Sequence, residues 1–340
     1  MQLAMELQEG LPAPRSLLSI VGTALLPFFD TREAALALRP LCREFRQAVA
    51  AFPWRDRATV IRGSIAGWRA CFPRALAANV GRHEWRNPSG RRAAVVDADF
   101  VHFAGLRELN MGHCFEVTDA AFEHLRGVRV LSMHCCNLDS VTDAAFVHLV
   151  GVERLDMSRC SQAAITDAAF AHLAGIHALD MSCCNQATIT DAAFAHLVGI
   201  RELSMGHCNQ GTITDAAFAH LAGIRALDMS ECNQRAITDA AFAHLGGIQR
   251  LRMRGCCQPT ITDAAFASLG GIHTLDMSHC TQATITEAAF EHLRGIAELV
   301  VVGGTQATIT AAEGLEGAKV FTREDLAQHG GGVWLTVFSG

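Results

Sequence analysis

Lysine is almost missing from this chain of 340 residues: Lys319 is the only one, and arginine carries the rest of the positive charge. A codon preference for arginine accounts for that. Long apolar runs are missing too. Half of the residues are hydrophobic, yet no stretch approaches the roughly 18 uninterrupted apolar residues of a membrane span. Met1 to Gly22 has acids at Glu6 and Glu9 and no basic region ahead of its apolar run, so it does not read as a secretory signal. With 13 cysteines, an odd count, and no export signal, the expectation is a reducing, cytoplasmic or nuclear compartment. Also missing are a nucleophile elbow, a phosphate-binding glycine loop, a zinc-binding pair and a carboxylate dyad outside the repeats described below. The chain therefore reads as a non-enzyme without cofactor or metal.

Charge is present but unevenly placed. Residues 1–95 carry 14 Arg and 7 Asp or Glu, net +7, whereas residues 96–340 carry 14 Arg or Lys and 27 Asp or Glu, net −13. Two modules with different partners are implied. The arginines of the first part are scattered rather than gathered into a stripe, which argues against nucleic-acid binding.

A repeat dominates the rest. Ile189–Gly211 reads ITDAAFAHLVGIRELSMGHCNQG and Ile213–Gln234 reads ITDAAFAHLAGIRALDMSECNQ. One phenylalanine marks each copy from Phe100 through Phe122, Phe146 and onward to Phe290, spaced 22 once and 24 thereafter. Within a copy, Ile200-x-x-Leu203-x-Met205 alternates like a strand. Thr214-Asp215 then offers an N-cap and a dipole partner for a short helix, which places Phe218 and Leu221 on one face and stops at Gly223. One strand and one helix in 24 residues cannot bury their own apolar face, so copies must stack. The predicted fold is an α/β solenoid, with parallel strands inside and helices outside.

The unit resembles the cysteine-containing leucine-rich repeat, L-x-x-L-x-L-x-x-C followed by I-T-D, with Met in the third leucine position and Phe in the helix. The resemblance covers residues 95–310, about nine repeats, and implies a right-handed solenoid. Eight cysteines fall on the repeat, from Cys114 to Cys280. In the family that position turns the chain out of the strand and satisfies loop backbone groups, so a framework role is expected. Histidines recur two residues after the Phe, for example His196 and His220, about 200° around the helix and therefore towards solvent.

Function is expected on the inner surface. There, one residue before the second leucine, one after it and two ahead of the cysteine stay free to vary. The candidate target-binding set is Asn110, His134, Arg154, Asp156, Asp180, Glu202, Asp228, Glu231, Arg250, Arg252, Arg254 and Asp276. Arg250, Arg252 and Arg254 lie on one strand face, with Asp228 and Asp276 beside Arg252. Two readings stay open: a cross-strand ion network, or a guanidinium patch for a ligand carboxylate or phosphate. Asp156, Asp180, Glu202 and Glu231 form an acidic stretch that would favour a basic partner segment.

Residues 15–55 follow another pattern. A helix over Leu17–Phe29, a break at Asp30-Thr31, and a second helix interrupted near Pro40 and ending about Phe52 are predicted. Leu36, Leu38, Leu41-Cys42-Arg43-Glu44-Phe45, Val49 and Pro53-Trp54 resemble an F-box. The resemblance implies docking on a Skp1-type adaptor through an apolar set of Leu17, Leu18, Leu25, Leu26, Phe28, Leu38, Leu41 and Trp54. The other reading of the same helices is a cap on the first repeat. Residues 1–14 read as a flexible start, 56–94 as irregular capping repeats and 311–340 as a C-terminal cap, with a helix over Phe321–Gln328. The expected function is a protein-interaction adaptor, the substrate receptor of a Skp1–cullin–F-box type ubiquitin ligase. The alternative is a scaffold with no ubiquitin role. No membrane or nucleic-acid partner is expected.

Overall fold

The computed structural model describes residues 26–40, 43–81 and 94–321. Eleven three-residue strands form one parallel sheet in sequence order: β1 (Ala77–Asn79), β2 (Glu108–Asn110), β3 (Val130–Ser132), β4 (Arg154–Asp156), β5 (Ala178–Asp180), β6 (Glu202–Ser204), β7 (Ala226–Asp228), β8 (Arg250–Arg252), β9 (Thr274–Asp276), β10 (Glu298–Val300) and β11 (Lys319–Phe321). Register is fixed by the repeat itself: Leu203 pairs with Leu179 on one side and Leu227 on the other. Strands β2 to β8 are each followed by a loop, one turn of α-helix such as Asp215–Phe218, and a tighter turn such as Ala219–Leu221. The return to the next strand is a type II turn. Ala222 has φ −55 and ψ 127, Gly223 has φ +83, and Ile224 donates back to the Leu221 carbonyl at 3.0 Å. Glycine is required there because the third turn position needs a positive φ.

Packing follows the pattern. Phe218, Leu221, Ile224, Leu227, Met229, Cys232 and Ile237 are all buried, and each repeat contributes the equivalent set to one continuous core running from Leu26 to Ala312. Full burial of each large apolar side chain stabilises by roughly 1.5–3 kcal/mol. No repeat encloses these groups alone, so the core exists only between neighbours.

Two polar ladders tie neighbours together. Thr214 Oγ1 accepts from Ala216 N at 3.2 Å, capping its own helix, while its N–H and hydroxyl donate to Asp191 of the preceding repeat at 2.7 Å each. The same rung recurs from Asp97–Thr118 to Asp263–Thr286. The Thr-Asp dipeptide therefore does more than cap: its Asp binds the next repeat. Where Glu287 replaces the aspartate, Thr286 Oγ1 still accepts from Ala288 N at 3.2 Å.

The second ladder is the cysteine column. Cys160 Sγ donates to the Met133 carbonyl at 3.2 Å, and Cys208 Sγ to that of Met181 at 3.1 Å. Burial pushes the Cys160, Cys208 and Cys280 thiols up to about 12, so they remain neutral donors at ordinary pH. The column is framework, as the family resemblance implied.

The N-terminal residues are annealed to the array. Asp30 and Glu33 form a reciprocal capping box at 2.7 and 3.2 Å, starting a helical run over 31–38 that stops before Pro40. A second helix spans Arg43–Ala51 and a third Ile65–Cys71. Leu76 and Ala77 both donate to the Trp54 carbonyl, and Val60 bridges Asn79 of β1. Thr31 donates twice to Asp56, at 2.8 and 2.7 Å, an outlying copy of the Thr–Asp rung. Burial, the largest single influence, pulls the Asp56 carboxyl upward, yet the donors on Thr31 and Thr59 together outweigh it and hold the group below its ordinary value.

Two boundaries differ from expectation. Helix Gln306–Glu313 runs through position 310, and Phe321 lies in strand β11, the rest of the helix expected over Phe321–Gln328 being outside the described residues. The cause is local: Gly314 ends the helix and Gly317, at φ +80, turns the chain back into register beside β10. Of the helix expected over Leu17–Phe29, residues 17–25 lie outside the described residues, and Leu26–Phe28 form a single 3-10 turn.

Candidate functional site: the inner face of the sheet

The strands bury their middle residue and present the flanking two on the inner face, in columns that the parallel register aligns rung by rung. One column reads Glu108, Val130, Arg154, Ala178, Glu202, Ala226, Arg250, Thr274 and Glu298; the next reads Asn110, Ser132, Asp156, Asp180, Ser204, Asp228, Arg252, Asp276 and Val300. Adjacent strands are about 4.8 Å apart, so neighbouring charges interact strongly.

A third column is set by strained backbone. The residue before each ladder cysteine adopts a left-handed conformation: His113, Cys135, Arg159, Cys183, His207, Glu231 and His279 have φ between 56 and 60, and only Gly255 and Gly303 relieve it. Left-handed backbone costs a non-glycine residue roughly 1–2 kcal/mol. The sequence signals no such strain, because glycine occupies this place in only two repeats.

No family model matches the chain, and no curated protein matches it. Solved structures do. The chain is similar to Toll in a Drosophila Toll–Spatzle complex, at 19% identity and a TM-score of 0.51, over 72% of this chain and 35% of that one. It is also similar to TLR13 in a complex with ssRNA13, at 19% identity and a TM-score of 0.55, over 71% of this chain and 33% of that one. Both are leucine-rich-repeat proteins, and the present chain spans about a third of the length of either. The fold is a leucine-rich-repeat solenoid.

Within the inner face of this solenoid, two of the three clustered arginines are committed internally. Arg252 Nη1 lies 3.2 Å from Asp228 Oδ2, and its Nε lies 3.9 Å from Asp276 Oδ2. Arg250 Nη2 lies 3.6 Å from Glu202 Oε1, while Arg154 Nη2 lies 3.3 Å from Glu202 Oε2. Each of these arginines reaches across an intervening strand, and this is sterically open because the residues between them are Ala178 and Ala226. The ion-network reading thus describes Arg250 and Arg252. Arg254 is exposed and has no carboxylate within ion-pair distance among the described residues.

The acidic stretch divides likewise. Glu202 is neutralised twice over. Glu231 sits on the left-handed turn with its carboxylate against the backbone of Gly255. Asp156 and Asp180 face each other directly in register. Asp156 accepts from Ser158 N and Oγ at 3.1 and 2.7 Å and from Ser132 Oγ at 2.8 Å, and Asp180 accepts from Ser182 N at 2.9 Å. Among the described residues neither lies within ion-pair distance of an arginine or lysine. Burial pushes the Asp180 carboxyl up, Ser182 opposes that, and the charges of Asp156 and Asp228 add to it.

At the N-terminal end a serine, a histidine and a carboxylate meet. Ser132 Oγ lies 2.9 Å from His134 Nδ1 and donates to Asp156 Oδ2, while His134 Nδ1 lies 3.6 Å from the same oxygen. Hydroxyl and carboxylate share one ring nitrogen, so the imidazole does not stand between them. The proton relay of nucleophilic catalysis needs opposite ring nitrogens, and this cluster does not provide it. Asn110 uses its side chain locally, accepting from Gly112 N at 3.0 Å.

The adaptor-facing set is placed differently from expectation. Leu26, Leu38 and Trp54 are buried in the common core, because the helices close the first repeat. Trp54 Nε1 donates to the Val49 carbonyl at 2.8 Å. Leu36, by contrast, is 69% exposed. Leu17, Leu18, Leu25 and Leu41 lie outside the described residues, as does the side chain of Phe28.

Proposed function

We propose that the chain is a protein-binding scaffold whose inner sheet face holds a partner and whose N-terminal helices cap the solenoid. The observation that carries this reading is where the near-identical repeats differ. Core, Thr–Asp rung and cysteine positions repeat almost unchanged, whereas the three inner columns change charge, size and polarity from strand to strand. A surface meant only to keep the array soluble needs no such variety. The test is site-specific photo-crosslinking from the full chain, with a photoreactive residue at Ser182 on the inner face or at His220 on an outer helix. Covalent capture of one discrete protein from the inner position alone is the expected result. Capture from the outer position only, or from neither, would remove the reading.

The finer proposal is that the helices dock a Skp1-type adaptor, making the chain the substrate receptor of a cullin-based ubiquitin ligase. It rests on the F-box resemblance of residues 15–55 and on Leu36, an apolar side chain turned outward from an otherwise inward-packed module. The scarcity of lysine suits a receptor that avoids its own modification. A pull-down of a Skp1-type adaptor by the full chain, lost in Leu36→Asp, is expected. No recovery by the unaltered chain would leave the scaffold reading with its helices as a cap.

A further inference from the structure

We propose that the N-terminal third of the inner face holds an arginine-bearing extended segment of the partner, its guanidinium on Asp156 and Asp180 beside the His134 ring and its neighbouring residues along His113 and Phe115. The inference rests on the scaffold reading above and adds the chemistry of what is held.

Three independent observations meet there. First, Phe115 is 52% exposed and is the one exposed large aromatic among the described residues. Its place in the repeat is held by Asn137, Asn185, Asn209 and Asn233, whose side-chain oxygens bind the backbone of the following repeat, and by the small Ser161, Cys257 and Thr281 in the others. Only here does a large ring stand in water at that place. Second, the rings form a chain. Phe115 and His113 are centred 5.9 Å apart and His113 and His134 5.0 Å apart, both edge to face. Any side chain on Gly112 would run into the His134 ring, so the glycine is what lets the two histidines pack. Third, this chain of rings ends on Asp156, and Asp156 faces Asp180 across the β4–β5 register.

Like charges directly opposite one another on a sheet destabilise it. The same array shows the remedy three strands on, where Arg252 sits between Asp228 and Asp276. At Asp156 and Asp180 no arginine among the described residues fills that role; Asp156 has serine donors and His134 at 3.6 Å, whereas Asp180 accepts from Ser182 alone and is penalised by burial. A cation supplied from outside completes the pattern. A guanidinium fits better than an ammonium because it is planar, donates in a fork to carboxylates and stacks on aromatic faces.

The test uses the full chain and fluorescein-labelled (Gly-Arg)4, (Gly-Lys)4 and (Gly-Ser)4 peptides, read by fluorescence anisotropy. The arginine peptide should bind at least fivefold tighter than the lysine peptide, and the serine peptide should not bind. Phe115→Ala, and separately the pair Asp156→Asn with Asp180→Asn, should each weaken the arginine peptide fivefold or more. Glu123→Gln with Glu291→Gln on the outer helices removes the same charge and should leave affinity within twofold. Equal losses from the inner and outer pairs would reduce the effect to attraction by net charge and overturn the proposal, as would indifference to Phe115→Ala. Circular dichroism of each variant separates lost binding from lost fold. A negative peptide result alongside crosslinking from Ser182 would sink the arginine anchor and leave the scaffold reading standing.

Discussion

Asp191 and Asp180 lie eleven positions apart in the same stretch of chain, yet their surroundings are opposite. Asp191, on the outer side, accepts two hydrogen bonds from Thr214 at 2.7 Å each and belongs to a rung repeated along the array. Asp180, on the inner face, has Asp156 across the register, one backbone donor on Ser182, and burial working against its charge. One residue type thus serves cohesion on one face and is tolerated at a cost on the other. The Thr–Asp ladder is partnered at each rung, whereas on the inner face some charges are neutralised, as at Glu202 and Arg252, and others, Asp156 and Asp180, face a like charge.

The comparison can be broken most forcefully at the core that both faces share. Phe218→Ala removes a fully buried ring and should cost about 3–5 kcal/mol, seen as a lower midpoint in urea denaturation. A loss below about 1 kcal/mol would mean that the repeats do not depend on mutual packing. Next in size is the paired test of the two aspartates. Asp191→Asn should destabilise by about 1–2 kcal/mol, because a charge-assisted acceptor for two donors is lost. Asp180→Asn should stabilise at neutral pH by about 0.2–1 kcal/mol, since it removes a like-charge contact and keeps an acceptor for Ser182.

The pH dependence has a definite sign. With its folded-state value raised, Asp180 holds its proton longer in the native state than in the unfolded chain. Its contribution therefore falls as pH rises from 3.8 through the raised value, and Asp180→Asn should flatten that part of the stability curve. Equal signs for the two substitutions would dissolve the distinction between the faces. Smallest is the left-handed column: His207→Gly should stabilise by about 0.5 kcal/mol, the relief of left-handed strain less the entropy that glycine adds to the unfolded chain. Gly255→Ala should destabilise, by about 1 kcal/mol, because it meets both positive φ and the Glu231 carboxylate.

Much of the fold was legible because the repeat is short and nearly exact. The Phe spacing, the strand alternation in Ile200-x-x-Leu203-x-Met205 and the Thr214-Asp215 cap announced strand, helix and stacking together. Less was legible at the candidate site. Which carboxylates are compensated depends on residues 24 or 48 positions apart, as with Arg154 and Glu202, and on whether an alanine lies between them. The left-handed residues were hidden for a related reason: the turn is held by main-chain hydrogen bonds, such as His207 N to the Ser230 carbonyl of the next repeat at 2.7 Å, and not by glycine. Phe115 stood in plain view as an ordinary hydrophobic residue, and only its exposure makes it unusual.

The sequence alone determined the architecture and its period, because a 24-residue unit with one apolar face has no other way to bury it. For the cysteine column the family resemblance implied a framework role, and the buried thiols donating to carbonyls of the preceding repeat supplied its basis. The tertiary structure decided the economy of charge. Stacking at about 4.8 Å brings together residues from successive repeats that are remote in sequence, so Arg250 and Arg252 became internal partners, Asp156 and Asp180 were left facing each other, and Leu26, Leu38 and Trp54 turned inward to close the first repeat.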